Sequence, residues 1–402
     1  MSAAVSALSH VAVPGGTAAR ISAHSLRVLT LTPFYPSEED PSQGSFVAEP
    51  LRAIEHPKIR NCVIAVQPFY RPRLHAPTDE ISSCWSRYLA LPGNAGLATS
   101  GDLLALSIER QVRELHARAA FDLIHAHAAL PCGHAAALLS RKLRIPFVVT
   151  VHGLDAYAER QVGRVWGKRC REKSAMVYSA ARAVICISEK VRDQVGEGVD
   201  GQRVVIYNGV DANLFSPALE SPTITVLSVG NLIPIKGHEL LLRAFARVSG
   251  AVPGCRLEIV GNGPERTRLE RLTRELCITG RVSFTGRQSR GSVAQAMKDC
   301  AVFALPSSYE GLGCVYLEAM SSGKPALGCT GQGIEEIIES GKNGMLVAPG
   351  SLEDLSAALQ ALLLDRDLRV RLGRAARAKI LRGHTLEYQA AELCRVYREC
   401  SA

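Results

Sequence analysis

Short β-rich apolar runs alternate with longer helix-patterned segments along almost the whole chain, and this alternation restricts the fold more than any other feature. Parallel strands need a long return connection, and a helix that covers the sheet supplies it. The first half offers Leu26–Leu31, Cys62–Val66, Asp122–Ala126, Phe147–Val151, Ala183–Ile187 and Val204–Ile206 as strands. The second half starts afresh at Ile224–Val229 and continues through Arg256–Val260, Val282–Thr285, Val302–Leu305, Pro325–Gly328 and Met345–Val347. Between the halves lie Asn208-Gly209-Val210-Asp211, Ser216-Pro217 and Ser221-Pro222, a turn-rich linker. A chain of 402 residues has room for about two domains. The expected fold class is therefore α/β, with two doubly wound, Rossmann-like parallel-sheet domains facing a cleft.

Composition narrows the function classes. A 47% hydrophobic fraction with 21% charged residues is that of a globular protein, and no uninterrupted apolar run reaches the roughly 18 residues that span a bilayer. The net charge of +9 suits nucleic acid, an anionic membrane face or a phosphorylated substrate. Nucleic acid is disfavoured, because aromatics are only 5% and no basic–aromatic repeat appears. The twelve cysteines include no Cys-x-x-Cys pair, and most sit in apolar runs such as Val184-Ile185-Cys186-Ile187. They read as small core residues in a reducing compartment, and no metal site is expected. Residues 1–25 are rich in Ala, Ser and Gly with no basic residue before Arg20, which reads as a flexible tail rather than a secretory signal.

In open α/β sheets, ligands bind beyond the carboxyl ends of the strands. After Leu305 comes Tyr309-Glu310-Gly311-Leu312-Gly313-Cys314, followed by an apolar run that contains Glu318. A glycine pair opening a helix brings backbone N–H groups and the positive helix end to an anion, and flanking carboxylates accept from sugar hydroxyls. After Val229 comes Gly230-Asn231-Leu232-Ile233-Pro234-Ile235-Lys236-Gly237, with a lysine at a helix start to neutralise a diphosphate. Gly261-Asn262-Gly263-Pro264 lacks the third glycine of a dinucleotide fingerprint, but suits a tight turn beside a nucleotide. In the first half, Val151-His152-Gly153-Leu154-Asp155 ends a strand and faces the cleft. His125 and His127 have zinc-like spacing without a completing ligand set, so His127 is expected at the lip of the cleft. Arg160–Lys173 gathers basic residues around Trp166, either a solvated helix face or a surface for an anionic membrane.

From about Leu26 to the end, these pieces resemble a family-four retaining glycosyltransferase of the GT-B fold (glycosyl transferases group 1). The matching segments run in order through Thr32-Pro33-Phe34-Tyr35-Pro36, Gly44-Ser45-Phe46-Val47, Ile124-His125-Ala126-His127 and Thr150–Asp155. The linker, the Lys236 and Gly261 loops, the Glu310…Glu318 pair, Gly331-Gln332-Gly333-Ile334-Glu335-Glu336 and Gly341–Val347 complete the series. The resemblance implies an acceptor-binding domain over 26–212 and a nucleotide-sugar domain over 213–383. It also implies a final helix, 384–402, crossing back to the first domain. Glu318 would hold ribose hydroxyls and Glu310 the donor sugar. Lys236 and the amides of Gly311, Leu312, Gly313 and Cys314 would hold the diphosphate. His152 would reach the donor sugar from across the cleft, and Gly44 would line it. Asn231, Gly261 and Gly263 belong to the donor loops.

The resemblance implies a UDP-sugar donor as substrate, no cofactor and no metal. It implies a glycan or lipid-linked acceptor in cell-surface polysaccharide synthesis, as in teichuronic-acid-type members. The expected location is cytoplasmic, with peripheral association at the inner membrane face. One residue departs from the pattern. The family often carries Arg where Asn231 stands, so a second cation on the leaving diphosphate is missing, and Arg287, after Val282–Thr285, is the candidate replacement. Two rival readings share the cleft, a nucleotide-sugar epimerase and a non-catalytic subunit that binds nucleotide sugar or glycan.

Overall fold

A computed structural model describes residues 25–54, 59–76, 81–91, 96–153, 164–196, 202–218, 221 and 223–401. The tail expected over residues 1–25, apart from Ser25, lies outside them, as do Asp155 and Arg160.

The first sheet contains β1 (Leu26–Thr32), β2 (Ile59–Pro68), β3 (Ser82–Tyr88), β4 (Leu123–His127), β5 (Phe147–Val151), β6 (Ala183–Cys186) and β7 (Gln202–Val205). Their order is β3-β2-β1-β4-β5-β6-β7. Its helices are α1 (Ser45–Ile54), α2 (Leu97–Arg118), α3 (His134–Leu143), α4 (Arg164–Ala180) and α5 (Glu189–Val195). The second sheet contains β8 (Thr225–Val229), β9 (Arg256–Val260), β10 (Val282–Gly286), β11 (Val302–Ala304), β12 (Ala326–Cys329) and β13 (Met345–Val347), in the order β10-β9-β8-β11-β12-β13. Its helices are α6 (His238–Val248), α7 (Arg266–Glu275), α8 (Arg290–Asp299), α9 (Cys314–Ser321), α10 (Leu352–Leu364) and α11 (Arg366–Gly383), and α12 (Leu386–Ser401) ends the chain.

Every pairing between these strands is parallel. Burial explains why. β4, β5 and β6 are buried at every residue, as strands covered by helices on both faces must be. β3 is the strand the sequence does not announce. Its Ser-Ser-Cys-Trp-Ser-Arg-Tyr run has no apolar core, because an edge strand buries only part of its surface. The order reverses beside β1 and β4 in one sheet and beside β8 and β11 in the other. Loops at those carboxyl ends therefore diverge and leave a crevice in each domain.

The two domains share apolar packing. One contiguous cluster runs from Val149 and Ile187 to Leu312 and Tyr316. Helix α12 buries Ala390, Leu393, Val396, Tyr397 and Cys400 in a cluster with Val28, Val63 and Leu51 of the first domain. No helix among the described residues is long and apolar enough to cross a membrane. Of the twelve cysteines only Cys277 is exposed.

Candidate active site

Loops from both sheets enclose a cavity of about 690 Å³ between the domains. The first domain contributes Phe34, Asp40 and Gly44–Phe46, and the second contributes Asn231, Lys236, Gly261, Asn262, Arg287, Arg290, Glu310, Gly313, Cys314 and Glu318.

The Lys236 loop is short and rigid. Pro234–Lys236 forms a single 3-10 turn after β8, closed by the Lys236 N–H donating to the Ile233 carbonyl at 3.1 Å. Its ammonium donates to Glu310 Oε1 at 2.6 Å. The same oxygen accepts from the Ser307 hydroxyl at 3.0 Å, and the Glu310 N–H donates to Gln332 Oε1 at 2.9 Å. Glu310 is only 7% exposed, so the carboxylate is fixed rather than free to search. A phosphate entering beside Lys236 therefore meets a cation already positioned, with its charge shared by Glu310.

Helix α9 is capped at its N-terminus by Gly313, whose φ of +88° a non-glycine residue rarely adopts. Its first-turn N–H groups have no partner within the helix, and they open on the cavity at Cys314 and Val315. Glu318 lies one turn further in and is 4% exposed. Its Oε1 accepts from Arg290, while its Oε2 is buried without a partner. Burial pushes the Cys314 thiol up to about 12, and Asn208 donates to its sulfur at 3.2 Å, so it lines the wall as an uncharged group.

At Gly261 the backbone itself needs glycine. Its φ is +138°, and an added Cβ would sit 1.9 Å from the Gly230 carbonyl oxygen. This close approach holds the β8 and β9 loops together under the cavity. Gly263 stays outside the cavity lining and serves that turn, with its N–H donating to Asn262 Oδ1 at 2.9 Å. Gly44 has φ +69°, and an added Cβ would meet the Phe34 carbonyl carbon at 2.4 Å. Gly311 and Leu312 also stay outside the lining. The Gly311 carbonyl accepts from the Ser188 hydroxyl at 2.6 Å across the domain interface, and Leu312 is fully buried.

Arg287 lines the cavity and is ion-paired to Asp40 of the first domain. Sequence reasoning missed Arg290, Glu49 and Asp40. Arg290 lies three residues beyond Arg287, and α1 carries Glu49 one turn beyond Gly44. That spacing was the available signal, but nothing in it says that these side chains meet across a cleft.

His152 lines a second, smaller cavity behind Phe34 and Phe46, of about 20 Å³. Its ring meets theirs edge-on, with centroids 5.7 and 5.0 Å away. Its Nε2 is 2.9 Å from His127 Nδ1, and one of the two must donate. His127 is 5% exposed, so it is buried in this cavity and not at the lip of the cleft. Neighbouring His125 bonds Thr150 and the Tyr397 hydroxyl of α12, each at 2.7 Å. Burial pushes the imidazoles of His125 and His152 down to about 3, so all act as neutral groups. Among the described residues no cluster of three or more His, Cys, Asp or Glu is arranged to hold a metal ion.

Residues 210–379 match the family described as Glycosyl transferases group 1, and residues 63–214 match Glycosyltransferase Family 4. An uncharacterized glycosyltransferase of Methanocaldococcus jannaschii is 31% identical over 254 residues, which is 63% of this chain and 68% of the relative. Alpha-D-kanosaminyltransferase of Streptomyces kanamyceticus is 28% identical over 82% of this chain and 90% of its own. Among solved structures, sucrose-phosphate synthase from Thermosynechococcus elongatus superposes with a TM-score of 0.76 at 22% identity, over 93% of this chain and 98% of its own. Anabaena HepE in complex with UDP and glucose gives 0.72 at 20% identity, over 93% of this chain and 100% of its own. These two define a GT-B fold. The chain belongs to the group 1, family 4 glycosyltransferases.

Proposed function

We propose that this glycosyltransferase moves a hexose or related sugar from a UDP-sugar to a hydroxyl of a glycan or lipid-linked acceptor, with retention of anomeric configuration and without a metal. One observation carries the reading. A positioned ammonium (Lys236), a helix N-terminus (α9) and two buried carboxylates (Glu310 and Glu318) line one cavity between two domains. In this reading Lys236 and the α9 amides stabilise charge that develops on the leaving diphosphate, where water exclusion strengthens their effect. Glu310 holds the donor sugar, and Glu318 holds the ribose. The departing phosphate takes the acceptor's proton, so no side chain needs to act as a covalent nucleophile. The complex of HepE with UDP and glucose supports a UDP-linked donor.

A panel of nucleotide sugars supplied with a glycan and lipid extract, with products read by mass spectrometry, tests the reaction class. The expected result is an acceptor heavier by one sugar together with free nucleoside diphosphate. An isomerised nucleotide sugar with no diphosphate released would establish the epimerase instead, and no turnover by the isolated chain would favour a binding subunit.

For the acceptor, we propose peripheral docking on an anionic membrane through α4, in support of a role in cell-surface polysaccharide synthesis. This helix exposes Trp166 at 38% and Met176 at 57%, with the Arg169 guanidinium stacked 5.0 Å over the Trp166 ring. Apolar side chains among cations suit an interface with anionic lipid. Co-sedimentation with phosphatidylglycerol vesicles should be lost when Lys168 and Arg171 are both replaced by Glu. Undiminished binding by that variant rules out α4 as the contact.

A further inference from the structure

Arg290 is the most constrained cation on the cavity wall. Its Nε and Nη2 donate to the two oxygens of Glu49 at 2.8 and 2.9 Å, and its Nη1 donates to Glu318 Oε1. Its guanidinium lies 4.8 Å above the Phe215 ring, and its side chain is 22% exposed. A two-pronged arginine–carboxylate contact fixes direction as well as distance. The guanidinium cannot rotate without breaking the Glu49 pair, and with it the direction of Glu318 is set.

Glu318 is half satisfied. One oxygen is bound to Arg290, and the other is buried with no donor. Native structures rarely leave such an acceptor empty, and the side chain borders the cavity where a ligand enters. A vicinal diol offers donors to a carboxylate oxygen held in one direction. Arg290 itself is poorly suited to hold phosphate. Two carboxylates already offset its charge, and binding an anion would strip one of them of its partner.

We propose that Arg290 is the positioning residue for ribose recognition: it is anchored by Glu49 across the cleft and by Phe215, it fixes one oxygen of Glu318, and it presents the other to the ribose hydroxyls. The inference rests on the nucleotide-sugar reading of this cavity and adds a consequence. Glu49 belongs to the first domain and Glu318 to the second, so the ribose site is complete only when the domains are together.

The test compares the affinity of UDP with that of 2′,3′-dideoxy-UDP by calorimetry in wild type, Arg290→Gln and Glu49→Gln. The ratio does not depend on the fraction of folded protein, so partial misfolding does not imitate the effect. Wild type should prefer UDP by more than about tenfold, because a site built to bond hydroxyls rejects the analogue without them. In Arg290→Gln the preference should fall below about threefold, and in Glu49→Gln it should fall at least halfway toward that value. If Arg290 were a phosphate ligand, both nucleotides would weaken equally in Arg290→Gln and the ratio would stay at the wild-type value, which overturns the proposal. A wild-type ratio in Glu49→Gln overturns the cross-cleft anchor. A wild-type chain that binds no UDP contradicts the donor reading itself, and the inference falls with it.

Discussion

At the residue scale, what was legible in the sequence was the set of groups after each strand, not their pairings. Lys236, Glu310 and Glu318 were all recognisable from helix starts and glycine turns, because local backbone chemistry reveals those. The structure brings Lys236 and Glu310 within 2.6 Å although 73 residues separate them in the chain. The Arg290–Glu49 pair was not legible, since an ion pair across a cleft leaves no periodic trace. The missing cation at Asn231 remains the chemical question at this scale. Arg287 lines the cavity with its side chain 57% exposed, and its ion-pair partner, Asp40, sits on the opposite wall. Its guanidinium is therefore available for a diphosphate that displaces Asp40. Arg287→Ala should lower kcat by about 100-fold with little change in unfolding temperature, the lower end of the scale for losing one electrostatic donor. A wild-type rate would remove Arg287 from the proposed leaving-group contacts.

At the element scale, the central strands announced themselves because double-sided burial demands continuous apolar runs. β3 did not, because an edge carries no such demand. The apolar stripe of α12 predicted packing but not its polar partner, the Tyr397 hydroxyl on His125. That contact sits beside an array of buried imidazoles with an acid–base consequence. His125 is held at about 3 by burial and by the neighbouring His152, and His127 is pushed well below the ordinary value by burial, His125 and His152. Unfolded, each imidazole titrates near about 6.5, so below that pH the unfolded chain takes up protons that the folded one refuses. The stability from these groups is complete above about pH 6.5 and is lost as pH falls toward about 3. Each contributes a slope of up to about 1.4 kcal/mol per pH unit in that window. Unfolding temperature should therefore drop between pH 7 and pH 5, and His125→Gln, which keeps a polar side chain without the titration, should shallow the drop. A flat profile in wild type would mean that water reaches these rings.

At the scale of the whole molecule, the fold class follows from alternation alone, whereas the closeness of the two domains does not. One side chain concentrates that closeness. Glu336, in the second domain, accepts from the N–H groups of Glu189 and Lys190 at 2.8 Å each and from the Tyr207 hydroxyl at 2.9 Å, all in the first domain. Nearby, the Tyr309 hydroxyl donates to Gln194 at 2.9 Å, and Lys190 donates to Gln332 Oε1 at 2.8 Å. Removing the shared acceptor leaves three donors to be re-solvated and is worth about 1–3 kcal/mol, or about 5- to 150-fold against the closed arrangement. Glu336→Ala should expand the radius of gyration in X-ray scattering, and kcat and KM should change together, as in variants that disturb closure. An unchanged scattering profile with unchanged kinetics would locate the closing contacts elsewhere, with Arg290–Glu49 the next to examine.

The proposed donor chemistry centres on Lys236 and Glu310, which meet at 2.6 Å in the cavity between the domains. The most direct measurement is the rate of nucleoside diphosphate release from the preferred donor, with acceptor present, by wild type, Lys236→Ala and Glu310→Ala. Each variant should keep its unfolding temperature within about 4 °C of wild type, the shift that about 1 kcal/mol produces in a domain of about 150–250 residues. Each should lose about 100-fold or more in kcat, as expected for groups that act on the transferred sugar and its leaving diphosphate. Rates near wild type in both folded variants would contradict the account.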